Sequence, residues 1–408
     1  MKQTASDWLW RSLVLGCGAA LCTVPVVKAA DEDSGLILST KGGIKVESAD
    51  GKFKSQFGGR LMIDGAYYDD DVTQLGSGAE IRRARLFAEG TVWDVWGFKS
   101  QIDFAGNEVD IKDAYITYGG WDPVSIKLGN FKEYFSLEEL TSSKYITFME
   151  RALPVEAFAP SRNLGIGAHA HGAFWQGGVG FFGEGIDSGG DETSSGYGIA
   201  GRLTFAPSGW NGDGRVLHFG GSVEYREEED EEIRFRSRPE SHVTDIRLVD
   251  TADFDAEDTL RWGVEAAGVW GPWSVQGEYM QADVNRVDGD DPTFSGWYAY
   301  GSWFLTGESR NYDPEDGTFG RVKPAHPLTN GGLGAWELGV RYSTLDLEDA
   351  GILGGDEDNI TVGLNWYATS HLRFMANYIY VKADPNAEDL GGVKDEPQVF
   401  QVRAQIDF

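Results

Sequence analysis

Polar and apolar side chains alternate along most of this 408-residue chain, and the alternation runs to its last residue. Phe400, Val402, Ala404, Ile406 and Phe408 fall on one face of a terminal strand, and Gln401, Arg403, Gln405 and Asp407 fall on the other. No turn signal follows, so the chain stops inside a sheet. The same pattern predicts strands over Phe53–Tyr68, Glu80–Trp93, Phe98–Ala105, Ile111–Gly119, Val124–Phe131, Asn163–His171, Ala173–Ile186 and Gly196–Ala206. It predicts eight more over Arg215–Arg226, Thr259–Trp270, Trp273–Val287, Phe294–Thr306, Ala335–Leu347, Asn359–Ala368, His371–Lys382 and Gln398–Phe408. A short strand is also expected over Gly43–Glu47. A sheet this long escapes open edges by closing on itself. The pattern therefore predicts an all-β fold, a transmembrane antiparallel β-barrel of about 16 strands with both termini on one side. An edge strand of a soluble β-sandwich is the competing reading of the C-terminus.

Connections alternate in length. Trp93 to Phe98, His171-Gly172-Ala173, Gly271-Pro272 and Thr369-Ser370 are tight, and the others are longer and richer in Asp, Gly and Pro. Short turns at one end and long loops at the other are the build of an outer-membrane barrel. Parity then assigns faces. In Glu80–Trp93, Ala84, Leu86, Ala88 and Val92 face lipid, and Arg83, Arg85, Phe87, Glu89 and Thr91 face inward. A lipid-facing Arg at the midplane would cost about 2–4 kcal/mol. Arg82 has lipid-side parity, which a strand end or a bulge would resolve. Lys99, Gln101 and Asp103 face inward in the next strand, as does Lys127 between Ile126 and Leu128. Arg202, His218, Glu224, Arg226, Arg341, Asn365, Arg373 and Arg403 join the polar side. A lumen this polar reads as a water-filled channel.

Residues 1–29 read as a signal peptide: Lys2 and Arg11, a small apolar run, and Val27-Lys28-Ala29 before the cut. Residues 30–408 then form one barrel domain, destined for the bacterial outer membrane. Both cysteines, Cys17 and Cys22, lie in the leader, so the mature chain has neither a disulfide frame nor a thiolate metal site. The formal net charge of −30 argues against nucleic-acid binding. The acid gathers in runs between strands: Asp69–Asp71, Glu227–Glu232, Asp253–Asp258, Asp288–Asp291 and Asp356–Asp358. These read as solvated loops, or as loops bridged by divalent cations to anionic lipid headgroups. The 14 Trp, 16 Tyr and 22 Phe suit two membrane interfaces.

Two segments stand out. Residues 132–160, KEYFSLEELTSSKYITFMERALPVEAFAP, mix aromatics and charges and exceed what a turn needs. They form a candidate constriction loop folded into the lumen, with an outer lid as the alternative. In Ile233–Pro239, Arg234, Arg236 and Arg238 line one side of an extended segment. They suit phosphate-like anions, or they balance the adjacent acidic run.

The motifs GGRLMIDGAYYDDD, EIRRARLFAEG, DPVSIKLGNF, SSKYITFMER, GWYAYGSWFLTGE, GAWELGVRYS and TVGLNWYA, in this order, resemble the phosphate-selective porin family, the O/P type porins. The resemblance spans nearly all of the mature chain. It implies a sixteen-stranded barrel, usually a trimer, with its third extracellular loop inside. It also implies an arginine ladder outside, a cationic binding zone in the middle and a lysine-rich path below. Residue by residue, it assigns Arg82 and Arg83 to the constriction and Lys127 to the conducting zone. It assigns Ser142 and Ser143 as hydroxyl donors, Arg151, Arg234, Arg236 and Arg238 to the ladder, and Lys99 to the lower path.

The departures concentrate at the centre. Arg85 and Lys132 stand where phosphate-binding members carry aromatics. Glu139 replaces a lysine before the TSS segment, and Lys112 replaces an acid. The reading is thus a passive porin that prefers anions such as phosphate, pyrophosphate or chloride. It sits in outer-membrane lipid as a homotrimer and uses no cofactor or metal. The alternatives are a general or cation-preferring porin and, more remotely, a barrel enzyme or adhesin. None of the six histidines sits in a catalytic motif, and His169 with His171 supplies only two metal ligands.

Overall fold

The computed structural model describes residues 35–40, 43–183, 185–186, 196–207, 214–228, 232–384 and 393–408. The predicted leader, 1–29, lies outside the described residues. The wall is a closed 16-strand antiparallel barrel. Its strands are β1 (Phe53–Asp69), β2 (Gly78–Val92), β3 (Trp96–Asp103), β4 (Asp110–Trp121), β5 (Val124–Lys132), β6 (Arg162–His171), β7 (Trp175–Phe182) and β8 (Tyr197–Phe205). They continue as β9 (Arg215–Glu227), β10 (Asp258–Trp270), β11 (Trp273–Asn285), β12 (Thr293–Phe304), β13 (Ala335–Asp349), β14 (Ile352–Tyr367), β15 (Leu372–Asp384) and β16 (Gln398–Asp407). Sequential strands pair, and β16 pairs back onto β1, with Gln398 opposite Asp69 and Asp407 opposite Arg60. The terminal alternation thus closes the barrel. Two short strands, Leu36–Ser39 and Ile44–Ser48, form a hairpin whose Ile44 lies opposite Phe57 of β1. It prolongs the wall below the last residue.

Each predicted barrel segment coincides with a strand. The largest boundary difference is β14, which begins seven residues before Asn359. The acidic run Asp356–Asp358 therefore lies in a strand, not in a loop. The turn preceding it places Ala350 and Gly351 at φ 51° and 84°, the two-residue geometry that matches strand twist.

The outer face is apolar and unburied: Leu61, Ile63, Leu86, Leu128, Val264 and Val402 all point away from the lumen. Aromatic pairs ring it, with Trp273 on Trp303 at 4.8 Å and Trp336 on Trp366 at 5.5 Å near the turns. Trp262–Tyr279 and Trp297–Tyr342 lie further along the same strands. Such girdles mark the two interfaces of a bilayer.

Among the described residues, three connections fold inside. The loop after β5, residues 133–161, carries α1 (Leu137–Leu140) and α2 (Leu153–Phe158). The loop after β9 packs Phe235 on Phe158 at 5.5 Å. Together with Phe148, Tyr298, Leu345 and Leu347 they form an apolar core within the barrel. The connection after β12, residues 305–334, belongs to the end that carries the termini, where short turns were expected. Strand parity fixes its side. It sends a small hairpin, Tyr312–Asp313 paired with Thr318–Phe319, into the lumen, where Phe319 packs against Leu137. Apolar side chains in a polar connection need a partner to cover them, and the loop from the opposite end provides it.

Candidate functional site

The inward loops lie against β8–β16 and leave open space along β1–β7. That space is a cavity of about 1470 Å³. Its lining carries thirteen Lys and Arg side chains against four carboxylates, Glu89, Asp113, Glu139 and Asp316.

The paired arginines enter through a bulge. Met62 of β1 is opposite Arg83, and the next residue, Ile63, is opposite Ile81, which leaves Arg82 as the extra residue. A bulge re-aims the side chain it inserts. Arg82 accordingly reaches the lumen with Arg83 and donates two 2.9 Å hydrogen bonds to Glu150 of the inward loop. Arg83 lies 3.8 Å from the same carboxylate and Arg403 of β16 at 2.5 Å. Burial would raise the Glu150 carboxyl, but these three guanidiniums hold it well below the usual range.

Arg85 donates to Asp103 at 2.6 Å, and Lys99 meets Glu89 at 3.0 Å. Lys132 and Arg151 share Glu139, at 2.8 and 2.9 Å. The lysine lost at position 139 thus returns as a carboxylate clamp between two cations. Arg162, which was not singled out in the sequence, pairs with Asp113 at 2.7 Å.

Three cations differ. Arg60, directly opposite Arg85 across β1 and β2, donates to the Ser143 and Ser142 hydroxyls at 2.8 and 3.4 Å and to Gln101 Oε1 at 3.0 Å. Lys144 of the loop lies over Phe87 and Tyr145. Lys127 lies 4.8 Å from the Tyr115 ring and 5.1 Å from Phe131. Neutral acceptors and π faces hold all three, and none forms an ion pair among the described residues. Burial, with the nearby charges of Arg60, Arg321 and Lys99, pushes the Lys144 ammonium down to about 8 against the opposing pull of Asp407.

The structure therefore gathers Arg82, Arg83, Arg85, Lys99, Lys127, Lys132, Ser142, Ser143 and Arg151 around one cavity. It does not bring Arg234, Arg236 and Arg238 there. They sit on the loop after β9, at the outer mouth. Arg234 binds Asp250 at 2.6 Å, and Arg238 reaches Glu156 and Asp245. Arg234 is paired with Asp250 and Asp253, not with the acidic run before it that the balancing reading named. Arg60, Lys144, Arg321 and Lys323 also line the cavity and went unmarked in the sequence. Arg60 had the signal: it shares inward parity with Met62 and Asp64.

Parity was a weaker guide on the opposite wall. Arg202, Arg226, Arg341, Arg373 and Arg403 point inward but serve the folded-in segments rather than open water. Arg373 donates to the Ile146 and Thr147 carbonyls, and Arg341 to the Glu150 carbonyl. Arg202 grips Glu265 and the Gly317 carbonyl. Among the described residues, no group of three His, Cys, Asp or Glu side chains is placed to hold a metal.

Residues 56–408 match the model of the family described as phosphate-selective porin O and P. The chain is 29% identical over 415 residues to Porin O of Pseudomonas aeruginosa, covering 91% of this chain and 92% of that protein. It is 36% identical over 390 residues to an uncharacterized protein of Caulobacter vibrioides, covering 91% and 77%. Among solved structures, the anion-selective porin from Comamonas acidovorans aligns with a TM-score of 0.56 at 15% identity, over 87% of this chain and all of that one. The channel DcaP of Acinetobacter baumannii aligns at 0.54 and 13%, over 89% and 99%. These two likenesses concern the fold.

Proposed function

The chain belongs to the phosphate-selective porin O and P family, and from that premise we propose that this outer-membrane porin is a passive, anion-preferring channel for phosphate and related oxyanions. The observation that carries the reading is the lining of the cavity, thirteen cations to four carboxylates in a chain whose net charge is −30. The cationic groups face the space the inward loops leave open along β1–β7. Arg60 and Lys144, with the Ser142 and Ser143 hydroxyls, offer donors to an oxyanion without a carboxylate partner of their own. Arg82, Arg83, Arg85, Lys132 and Arg151 are held by acids, so they fix the loop and set the field more than they bind. Such a centre passes anions by replacing part of their hydration without gripping them. Three copies in the membrane, as the porin fold commonly assembles, complete the proposal.

The test is the reversal potential of the purified protein in a planar bilayer under a KCl gradient, followed by phosphate titration of the chloride current. Chloride preference with saturable block by phosphate supports both parts. Chloride preference without block leaves a general anion channel. Potassium preference overturns the reading in favour of the acidic mouth.

A further inference from the structure

Below the constriction, Lys127 stands in a recess of different character. Its ammonium lies against the edge-to-face pair of Tyr115 and Phe131, 4.8 and 5.1 Å from the two ring centres. Tyr134 descends from the inward loop, 6.1 Å from Phe131 and stacked 6.4 Å from His169 of β6. The Tyr134 ring lies flat on the wall because the wall there is glycine. A Cβ at Gly178 would come within 2.4 Å of it, and one at Gly167 within 2.8 Å. Tyr134 is 5% exposed, and its hydroxyl has no hydrogen-bond partner; neither has His169 Nε2. An unpaired buried hydroxyl costs stability unless a ligand or water satisfies it. The Lys127 charge is likewise unpaired: Asp316 and Asp113, the acids that act on it, form no salt bridge with it.

Resting on the anion-channel reading above, we propose that this recess is a second, lower site that binds organic carboxylates with a flat apolar body. The carboxylate accepts from Lys127 Nζ and the Tyr134 hydroxyl. The body lies against the Tyr115, Phe131 and Tyr134 rings, and His169 closes the side. A tetrahedral oxyanion uses the ammonium but has no apolar body to lay against the rings. Taking about 60 Å² of the acid's own apolar surface out of water favours a flat acid over a small one of equal charge by about tenfold.

The experiment uses the full channel in a planar bilayer with KCl, titrated with benzoate, acetate and phosphate. Benzoate is expected to half-block the chloride current at a concentration about tenfold below acetate. Tyr134→Phe keeps the ring and removes the hydroxyl, so it raises the half-blocking concentration of benzoate about fivefold or more. Lys127→Met raises it further. Equal potency of benzoate and acetate overturns the proposal, as does benzoate block unchanged in both variants. Block by phosphate that Tyr134→Phe weakens more than it weakens benzoate also overturns it. The reversal potential, taken in the same membranes, separates this failure from the broader one. A channel that still prefers chloride but ignores the ring loses only the lower site, whereas potassium preference removes the anion channel itself.

Discussion

Arg60 offers the sharpest test of what sets ion preference. It is almost fully buried, its donors go to Ser143, Ser142 and Gln101, and no carboxylate neutralises it among the described residues. Arg60→Gln therefore removes a full positive charge while keeping a polar side chain. At about 6 Å from a passing ion, that charge is worth about 0.7 kcal/mol at a dielectric constant of 80 and about 2.8 kcal/mol at 20. Salt at 0.1 M cuts both by about half. The change disfavours the anion and favours the cation equally, so the ratio of chloride to potassium permeability moves by twice the single-ion energy. The lower bound is then about a threefold fall. The assay is the zero-current potential under a tenfold KCl gradient, with circular dichroism confirming an intact barrel. A permeability ratio unchanged or raised in a folded variant would falsify the assignment of Arg60 to the selectivity field.

The Lys144 ammonium, pushed down to about 8, carries its charge fully below that pH and loses it above. Anion preference should hold from pH 6 to about 7 and decline as pH rises through 8 to 9; Lys144→Arg should flatten that decline, since guanidinium stays charged there. Arg403 ties the inward loop to β16 through Glu150 and the Met149 carbonyl, both at 2.5 Å, and pairs with Asp64 of β1 at 2.6 Å. Arg403→Met strands the buried Asp64 at a local cost of about 3–5 kcal/mol; single-channel records should show larger and noisier openings, and steady wild-type conductance would refute the tie. Gly178→Val drives a methyl into the Tyr134 ring, so that ring must swing into the pore, and conductance should fall. Raising KCl from 0.1 to 1 M shortens the Debye length to about 3 Å; the exposed rim acids are screened first, so chloride preference should survive this change.

The wall was legible in the sequence because its rule is local. Each strand needs only period-two alternation, and lipid enforces it residue by residue: Val402 out, Arg403 in, Ala404 out. What filled the lumen was not local. The loop after β9 folds in because Ile233, Phe235 and Val249 are covered by Phe158 and Phe294, at separations no periodicity reports. The hairpin Tyr312–Phe319 enters from below for the same reason, and its aromatics in a polar connection were the overlooked signal. Parity could say that Arg341 and Arg373 point inward. It could not say that loop carbonyls, not water, receive them. The pairing of Arg82 and Arg83 lay between these cases, since parity alone separated them and one inserted residue in the ladder reunites them.

The charge balance of the chain shows why the two populations must be kept apart. The acids outnumber the bases overall, yet the cavity lining is reversed. Rim acids such as Asp70, Asp71 and Asp253 face bulk water, where their field fades within about 10 Å at 0.1 M salt. Arg60, Lys127 and Lys144 act across a narrow space walled by low-dielectric protein, which focuses the field along the path of the ion. A solute therefore meets the acids as a screened, distant term and the inner cations as a near one. On that ground net charge predicts solubility and mutual repulsion, and under the proposed function the few unpaired cations inside decide which ion crosses. Two acids of the inward loop, Glu139 and Glu150, are each shared between cations, so they shape the passage and subtract little from it.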